Sequence, residues 1–202
     1  MTPEFLAALF GFAFVTVATP GPNNLMLMAS GANFGMRRSV PHMLGIGLGF
    51  PAMLILVGLG AMQVFDIWPV SYDILKVLSV VYMLWLAWKI ANAAPPAQGG
   101  ADGKTEGAPL TFLQAAAFQW VNPKAWSMAL SANTLYAGDR AFLSVLLIAV
   151  AYILCSIVST TIWTGLGVQV RRLLARPRTL RLFNIAMALL LLASLVPALM
   201  AS

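Results

Sequence analysis

The sequence is poor in charged residues. Only 9% of its 202 residues are Asp, Glu, Lys or Arg, and 60% are hydrophobic, whereas about a quarter of the residues in a typical soluble domain are charged. This imbalance excludes an ordinary soluble domain and predicts an integral membrane protein. The net charge of +6 comes from basic residues in short segments between apolar runs. That distribution is typical of membrane topology and argues against a nucleic-acid partner.

Reactive side chains are also scarce. The chain has one cysteine, Cys155, and one histidine, His42. A single cysteine excludes an intramolecular disulfide and a thiolate metal cluster, and its position in an apolar run favours a packing role. No Asp or Glu lies in the middle of an apolar span. We therefore expect no enzyme active site, no cofactor, no metal centre and no counter-charge for a cationic side chain of a substrate.

Long apolar runs make up most of the sequence. Apolar periodicity predicts an all-α membrane protein with six transmembrane spans, at roughly 5–31, 41–63, 69–91, 111–134, 141–168 and 180–200. The N-terminus carries Glu4 and no basic residue before the first span. It therefore lacks the basic segment of a cleaved signal peptide, and we expect the first span to be retained.

The loop charges predict the topology. Loops after the first, third and fifth spans hold nine basic residues, namely Arg37, Arg38, Lys89, Lys104, Arg171, Arg172, Arg176, Arg178 and Arg181. The opposite loops hold two, Lys76 and Arg140, along with Asp66, Asp73 and Asp139. The positive-inside rule then places the first set in the cytoplasm and both termini outside.

A segment rich in Pro, Gly and Ala at 93–110 divides the chain into two halves, residues 1–92 and 111–202. Its composition predicts a flexible cytoplasmic linker. Each half has three predicted spans, and an odd number forces the halves into opposite orientations. We therefore predict two inverted three-helix repeats, a common plan in secondary transporters.

The first predicted span is interrupted at Thr19–Asn24. Pro20, Gly21 and Pro22 should break the helix there, inside a run long enough to cross a bilayer. Within hydrocarbon, freed backbone groups survive only where they are buried in protein or line a wet cavity. The break, with Asn23 and Asn24 beside it, therefore predicts a ligand site. The alternative is a proline kink that only shapes packing.

The fourth predicted span has a matching interruption at Gln119–Lys124. Pro123 lies 101 residues after Pro22, half the chain length. Asn is a favoured N-cap and Pro suits the first helical turn, so Asn122 and Pro123 predict a helix that restarts inside the membrane. We expect both restarted helices to begin near the midplane and to direct their N–H groups into one shared cavity, a place to hold a carboxylate.

Lys124 is the charged residue near the centre of an apolar span. Charge at that depth costs at least about 2.5 kcal/mol, so a functional role is the default interpretation. We predict that it attracts the substrate carboxylate or balances a coupling ion. The alternative is that span four begins later and Lys124 snorkels to the cytoplasmic face. The predicted substrate-binding residues are therefore Pro20, Gly21, Pro22, Asn23, Asn24, Gln119, Asn122, Pro123 and Lys124.

Two further groups of residues allow more than one interpretation. His42 could exchange protons near neutral pH, but the favoured interpretation is an interfacial histidine close to Arg37 and Arg38. Gly45 and Gly49 have the spacing that lets helices approach closely. Other polar residues of span four could line a polar path or satisfy backbone groups of neighbouring helices, namely Ser127, Ser131 and Asn133.

These motifs give the sequence a family resemblance. It resembles the LysE/RhtB family of bacterial amino-acid exporters in Thr19–Asn24, Gly35–Ser39, Gly45–Phe50 and Asn122-Pro123-Lys124. Met1–Pro3, the TPGPNN form of the first motif, Trp85–Ile90 and Phe118-Gln119 are similar to the cysteine and O-acetylserine exporter branch. The resemblance implies efflux across the bacterial inner membrane, driven by the proton gradient. Some relatives in the wider superfamily relay electrons through paired cysteines or export heavy metals, and the scarcity of Cys, His and acidic residues argues against both.

The sequence thus predicts a secondary transporter that works by alternating access around a midplane site. A small neutral amino acid or derivative is the expected substrate and the proton the expected coupling ion, in the manner of an antiporter. Glycine-rich helix faces permit a homodimer. The alternatives are a non-transporting electron-relay or assembly subunit and a facilitated permeation pathway.

Overall fold

The computed structural model describes residues 2–61, 63–93, 107–137, 142–173 and 177–196. The regular secondary structure among these residues is helical, with no β-strand. In chain order the elements are α1 Pro3–Ala18, α2 Pro22–Leu56, a π-helical segment Val57–Ala61, α3 Gln63–Ile67, α4 Val70–Ala91, α5 Phe112–Val121, α6 Pro123–Tyr136, α7 Phe142–Leu173 and α8 Pro177–Ala193. The prediction of an all-α protein is therefore confirmed for this part of the chain.

Three of these helical stretches, Pro22–Ala61, Val70–Ala91 and Phe142–Arg171, are long and apolar enough to cross a membrane. The protein is therefore a membrane protein by composition and by helix length together. Helix α4 agrees closely with the predicted span 69–91. Lys76 and Asp73, which the topology argument assigned to a loop, instead lie within α4. Four other residues of that argument, Lys104, Asp139, Arg140 and Arg176, lie outside the described residues.

Both predicted helix breaks are confirmed. Helix α1 ends at Ala18, and the chain is extended at Thr19 (φ −63°, ψ 145°) and at Gly21 (φ −178°, ψ 179°) before α2 begins. Helices α5 and α6 are separated by Asn122 alone (φ −96°, ψ 108°). Pro22 and Pro123 each occupy the first helical position, where a missing N–H removes no intrahelical hydrogen bond.

The predicted loop between the first two spans is much shorter than expected. Helix α2 continues on both sides of Gly35, whose positive φ of 80° (ψ 171°) interrupts it sharply. The hydroxyl oxygens of Ser30 and Ser39 lie 2.7 Å apart, although nine residues of straight helix advance about 14 Å. Helix α2 therefore consists of two arms, 22–34 and 36–56, and Arg37 and Arg38 lie in the first turn of the second arm instead of in a loop.

The two arms of α2 lie at the centre of the packing. One apolar cluster joins α1, the second arm, α6 and α7 around Leu9, Phe50 and Tyr152. A second cluster joins α2, α4, α5 and α8 around Leu27 and Phe118. Helix α2 contributes to both, so residues of the first predicted half pack extensively against the second. The division at 93–110 stays a prediction, and residues 94–106 lie outside the described part of the chain.

The predicted close approach at Gly45 and Gly49 is confirmed. A Cβ at Gly45 would collide with the backbone oxygen of Phe112, and a Cβ at Gly49 would lie 2.6 Å from the Cα of Ala116. The glycines therefore bring the second arm of α2 against α5 within the same chain. That face is used internally, which removes it as a surface for the predicted homodimer.

Candidate functional site

The two helix breaks meet. The Asn23 side-chain amide donates to Gln119 Oε1 at 2.8 Å, and Gln119 Nε2 donates back to Asn23 Oδ1 at 3.2 Å. Asn23 lies in the first turn of α2, and Gln119 lies three residues before the break at Asn122. The reciprocal amide pair therefore joins the two interruptions, and Gln119 is fully buried.

Lys124 forms the second connection between the breaks. Its Nζ donates to the carbonyl oxygen and the hydroxyl of Thr19, at 2.7 and 2.8 Å, and approaches the carbonyl oxygen of Pro20 at 3.5 Å. These acceptors lie just beyond the C-terminus of α1, where the helix dipole favours a cation. The ammonium thus reaches across to the first break instead of snorkelling away from it. Helix α5 begins at Phe112, so Lys124 has helix on both sides of its break; whether the membrane span begins before or after it stays a prediction.

Gly21 makes room for that lysine. A Cβ at Gly21 would lie 2.7 Å from Lys124 Cδ and 3.1 Å from Nζ. Any other residue would force the lysine side chain out of its position. The glycine was predicted from its backbone freedom, but its extended φ is open to every residue, and the structural requirement is space.

The asparagines have different partners from one another. The Asn122 side chain accepts from the Lys124 backbone N–H at 3.1 Å and so forms the predicted N-cap of α6. The Asn24 amide donates to the carbonyl oxygens of Val17 and Thr19, both at 2.8 Å. Asn24 therefore holds the end of α1, whereas Gly21, the N-cap residue of α2, provides no side-chain hydrogen bond.

Every carbonyl freed at the end of α1 has a partner. The Val15 oxygen accepts from the Thr19 N–H, and the Thr16 oxygen accepts from the Thr19 hydroxyl. Helix α7 supplies the next donors: the Ser159 hydroxyl to Val17 at 2.9 Å and the Trp163 indole to Ala18 at 3.1 Å. An unmatched carbonyl in a lipid environment would cost several kcal/mol. The break is therefore stabilised by α7 as well as by α2 and α6.

A small cavity of about 30 Å³ lies between the breaks and α7. It is lined by Gly21, Asn23, Asn24, Asn122 and Lys124, and also by Thr16, Val17, Ile46, Phe50, Met128, Ser156, Ser159 and Thr160. At about 10–15 Å³ per water, this space holds two or three waters and excludes an amino acid. An amino acid could enter only if the cavity widened.

The hydroxyl groups of α7 that line the cavity were not among the predicted site residues. Ser156, Ser159 and Thr160 line the cavity, and they lie at the middle of the 32-residue α7. Their spacing of three and four residues inside an apolar span places them on one helix face, which was the available signal. Of the predicted polar path, Asn133 instead donates to the carbonyl of Leu54 at 3.2 Å, the second interpretation given for these residues.

His42 lies apart from these residues. It is 1% exposed and lines a different, larger cavity between the first arm of α2, α4 and Gly107–Leu110. The structure therefore does not bring the candidate proton carrier into the cavity at the breaks. Cys155 is buried with its Sγ 3.8 Å from the carbonyl oxygen of Phe10, consistent with packing. The described residues contain no group of three or more His, Cys, Asp or Glu that could hold a metal ion.

Comparison with known proteins agrees with the family resemblance of the sequence. The family model for the LysE type translocator matches residues 14–196. Cysteine/O-acetylserine efflux proteins of Escherichia coli (strain K12) and Shigella sonnei (strain Ss046) are each 34% identical to the chain over 124 residues. That match covers 61% of the chain and 61% of each relative, so it spans about three fifths of their length. No solved structure matches the chain.

The family match extends over both helix breaks, the amide pair and the lysine that joins them. It identifies a family of translocators, not of enzymes. The chain belongs to the LysE type translocator family.

Proposed function

We propose that the protein is a secondary active exporter of small neutral amino acids or their derivatives across the bacterial inner membrane. The candidate substrates are of the cysteine, O-acetylserine, homoserine or threonine type. The observation that carries this proposal is the meeting of two interrupted helices around a polar cavity that contains one ammonium group. Interrupted helices that face each other are a device by which transporters hold small charged substrates.

The proposed architecture has six spans arranged as two inverted three-helix repeats. The positions of the helix starts and of the cavity support this architecture. Helices α2 and α6 begin at prolines half a chain apart, and the cavity between them lies beside the middle of α7. Helix α7 is long enough to cross the bilayer, and a cavity beside its middle fits the proposed midplane site, the depth at which inverted-repeat transporters bind their substrates.

The proposed substrate site uses the residues of both breaks: Pro20, Gly21, Pro22, Asn23, Asn24, Gln119, Asn122, Pro123 and Lys124. The first turn of α2 has no side-chain cap, so its N–H groups suit a carboxylate. The Lys124 ammonium adds a positive charge beside them. Among the described residues that line the cavity there is no Asp or Glu, so a neutral substrate side chain fits better than a cationic one.

The proposed mechanism is alternating access. In this conformation the Lys124 ammonium donates to the carbonyl oxygens at the end of α1, and the cavity is too small for an amino acid. A substrate ammonium would compete for those same oxygens, and Lys124 would then turn to the substrate carboxylate. Protons are the proposed coupling ion, and His42 is the candidate carrier in the second cavity.

Transport into proteoliposomes tests this function. Radiolabelled O-acetylserine, cysteine, threonine, homoserine, leucine and lysine are compared with and without an imposed pH gradient. We expect uphill movement of the small neutral amino acids that stops when the gradient is collapsed. Faster transport of lysine would contradict the neutral-substrate proposal, and transport that ignores the gradient would identify a facilitated pathway.

An activity-based control addresses the non-transporting alternative. A Cys155→Ala variant should export as well as the native protein, because the thiol lies in an apolar cluster. Loss of all activity in that variant at normal protein levels would favour a role for the cysteine in electron relay.

A further inference from the structure

The larger cavity contains a buried imidazole without a partner. It has a volume of about 170 Å³ and is lined by His42, Ser30, Asn33, Leu86, Trp88 and Lys89, among others. His42 is 1% exposed, and within the described residues neither of its ring nitrogens has a hydrogen-bond partner. A buried polar group left unsatisfied costs about 1–3 kcal/mol. A molecule that enters the cavity would remove that cost.

The neighbouring polar side chains are already engaged elsewhere. The Ser30 hydroxyl pairs with the hydroxyl of Ser39 at 2.7 Å. Asn33 and Asn184 form a reciprocal amide pair at 2.7 and 2.9 Å. These bonds hold the cavity wall in place and leave the imidazole as the buried lining group without a partner among the described residues. Both ring nitrogens are covered in this conformation, so the ring must turn towards the cavity before it bonds an occupant.

The size and charge of the cavity indicate what the occupant is. At about 10–15 Å³ per water, its volume has room for more than ten waters or for one small organic molecule. Lys89 is the charged residue among the described lining residues, and none of them is Asp or Glu. An ammonium and an imidazole N–H both donate to a carboxylate, while Met26, Leu86 and Leu110 offer apolar wall for a short neutral side chain.

The two cavities lie along one face of the first arm of α2. Asn23 lines the cavity at the breaks, and Met26, Ser30 and Asn33 line the larger one. Their spacing of three or four residues places them in a single stripe. The stripe is about 15 Å long at the rise of an α-helix, so both cavities border the same helical arm.

We propose that the larger cavity is a second, separate binding site for the carboxylate end of a small neutral amino acid, with His42 and Lys89 as its donors. The choice of ligand rests on the proposed export function, whereas the existence of a carboxylate site rests on the cavity itself.

The single histidine provides a direct test. In protein labelled with ¹⁵N-histidine, the imidazole signals report on His42 alone, because the sequence has no other histidine. At constant pH, O-acetylserine should shift these signals saturably, and acetate should shift them in the same direction at higher concentration. Serine methyl ester, which lacks the carboxylate, should not. Absence of a shift with O-acetylserine, or an equal shift with the ester, would overturn the proposal.

Two lysine variants on the same helix form a matched pair. Lys89→Gln should weaken the apparent affinity about tenfold, because one charge-assisted hydrogen bond is lost. Lys76→Gln, also on α4 but outside the cavity lining, should leave it unchanged. Equal effects of the two variants would contradict the assignment of Lys89.

A third variant separates this proposal from the proposed export function. Lys124→Met damages the site at the breaks and should still show the full His42 shift. Loss of the shift in that variant would mean that the signal reports on the breaks and would overturn the second site. Failure of transport in proteoliposomes with a normal His42 shift would leave the site standing and reject the export function.

Discussion

The two helix breaks satisfy their freed backbone groups in different ways. The second break is one residue long, and Asn122 both interrupts the chain and caps the helix that follows. The first break is three residues long, and Gly21 provides no side-chain cap. Its carbonyls are satisfied from outside, by α7, by Asn24 and by Lys124. The second break is therefore locally encoded, whereas the first depends on the surrounding helices.

The strongest test of this difference removes the ammonium that joins the breaks. Lys124→Met should reduce export at least tenfold, because charge-assisted hydrogen bonds contribute about 1.5–3 kcal/mol each. Radiolabelled efflux from proteoliposomes measures the effect, and Lys76→Met on α4 provides the matched control. Export at the native rate would remove Lys124 from the proposed site.

A second test alters the start of α2. Pro22→Ala restores a backbone N–H at the first break and lowers the cost of a continuous helix by about 3 kcal/mol. We expect export to fall about tenfold while membrane insertion stays largely intact. The corresponding Pro123→Ala should be milder, since Asn122 still caps α6. Equal losses in the two variants would mean that the breaks are equivalent.

Substituting one asparagine at each break compares how much the two breaks depend on their side-chain hydrogen bonds for stability. Asn24→Ala removes two hydrogen bonds from the end of α1 and should lower the free energy of unfolding by about 2 kcal/mol. Asn122→Ala removes one N-cap and should cost about 1 kcal/mol. Thermal unfolding in detergent ranks the variants, and the reverse order would contradict a first break that depends more on its partners.

The smallest expected effect is on α7. Ser159→Ala removes the donor to the Val17 carbonyl, which keeps the Asn24 amide as a partner. The cost should be about 0.5–1 kcal/mol of stability. Thr161→Ala, whose hydroxyl bonds only within its own helix, is the control. A loss above that range would show that Asn24 alone cannot satisfy the end of α1.

Several features could be predicted because their causes are local. Proline and glycine at 20–22 disfavour a continuous helix, and Asn122 followed by Pro123 favours a helix start. The spacing of Gly45 and Gly49 likewise indicated close packing, although not that the partner is α5 of the same chain. The sharp turn at Gly35 was expected as a longer loop, because a single residue with positive φ leaves almost no pattern in the neighbouring sequence.

Other features had no local cause. Lys124 was predicted to attract a substrate carboxylate or balance a coupling ion, which stays a prediction, but its bond to Thr19, 105 residues away, could not be predicted from the sequence. His42 was interpreted as interfacial, and its burial depends on α4 and on Gly107–Leu110, which are distant in sequence. The hydroxyls of α7 are common in membrane helices, and their role appears only when the end of α1 lies beside them.

By itself, the sequence determined that this is a helical membrane protein, where its helices are interrupted and which family it belongs to. These depend on composition, on proline and capping chemistry, and on motifs within a few residues. Only the tertiary structure decided that the two interruptions meet, which donors satisfy the freed carbonyls, and that His42 faces a cavity of its own. Those outcomes depend on which helices pack together, and such long-range packing is decided by the whole fold rather than by any one segment.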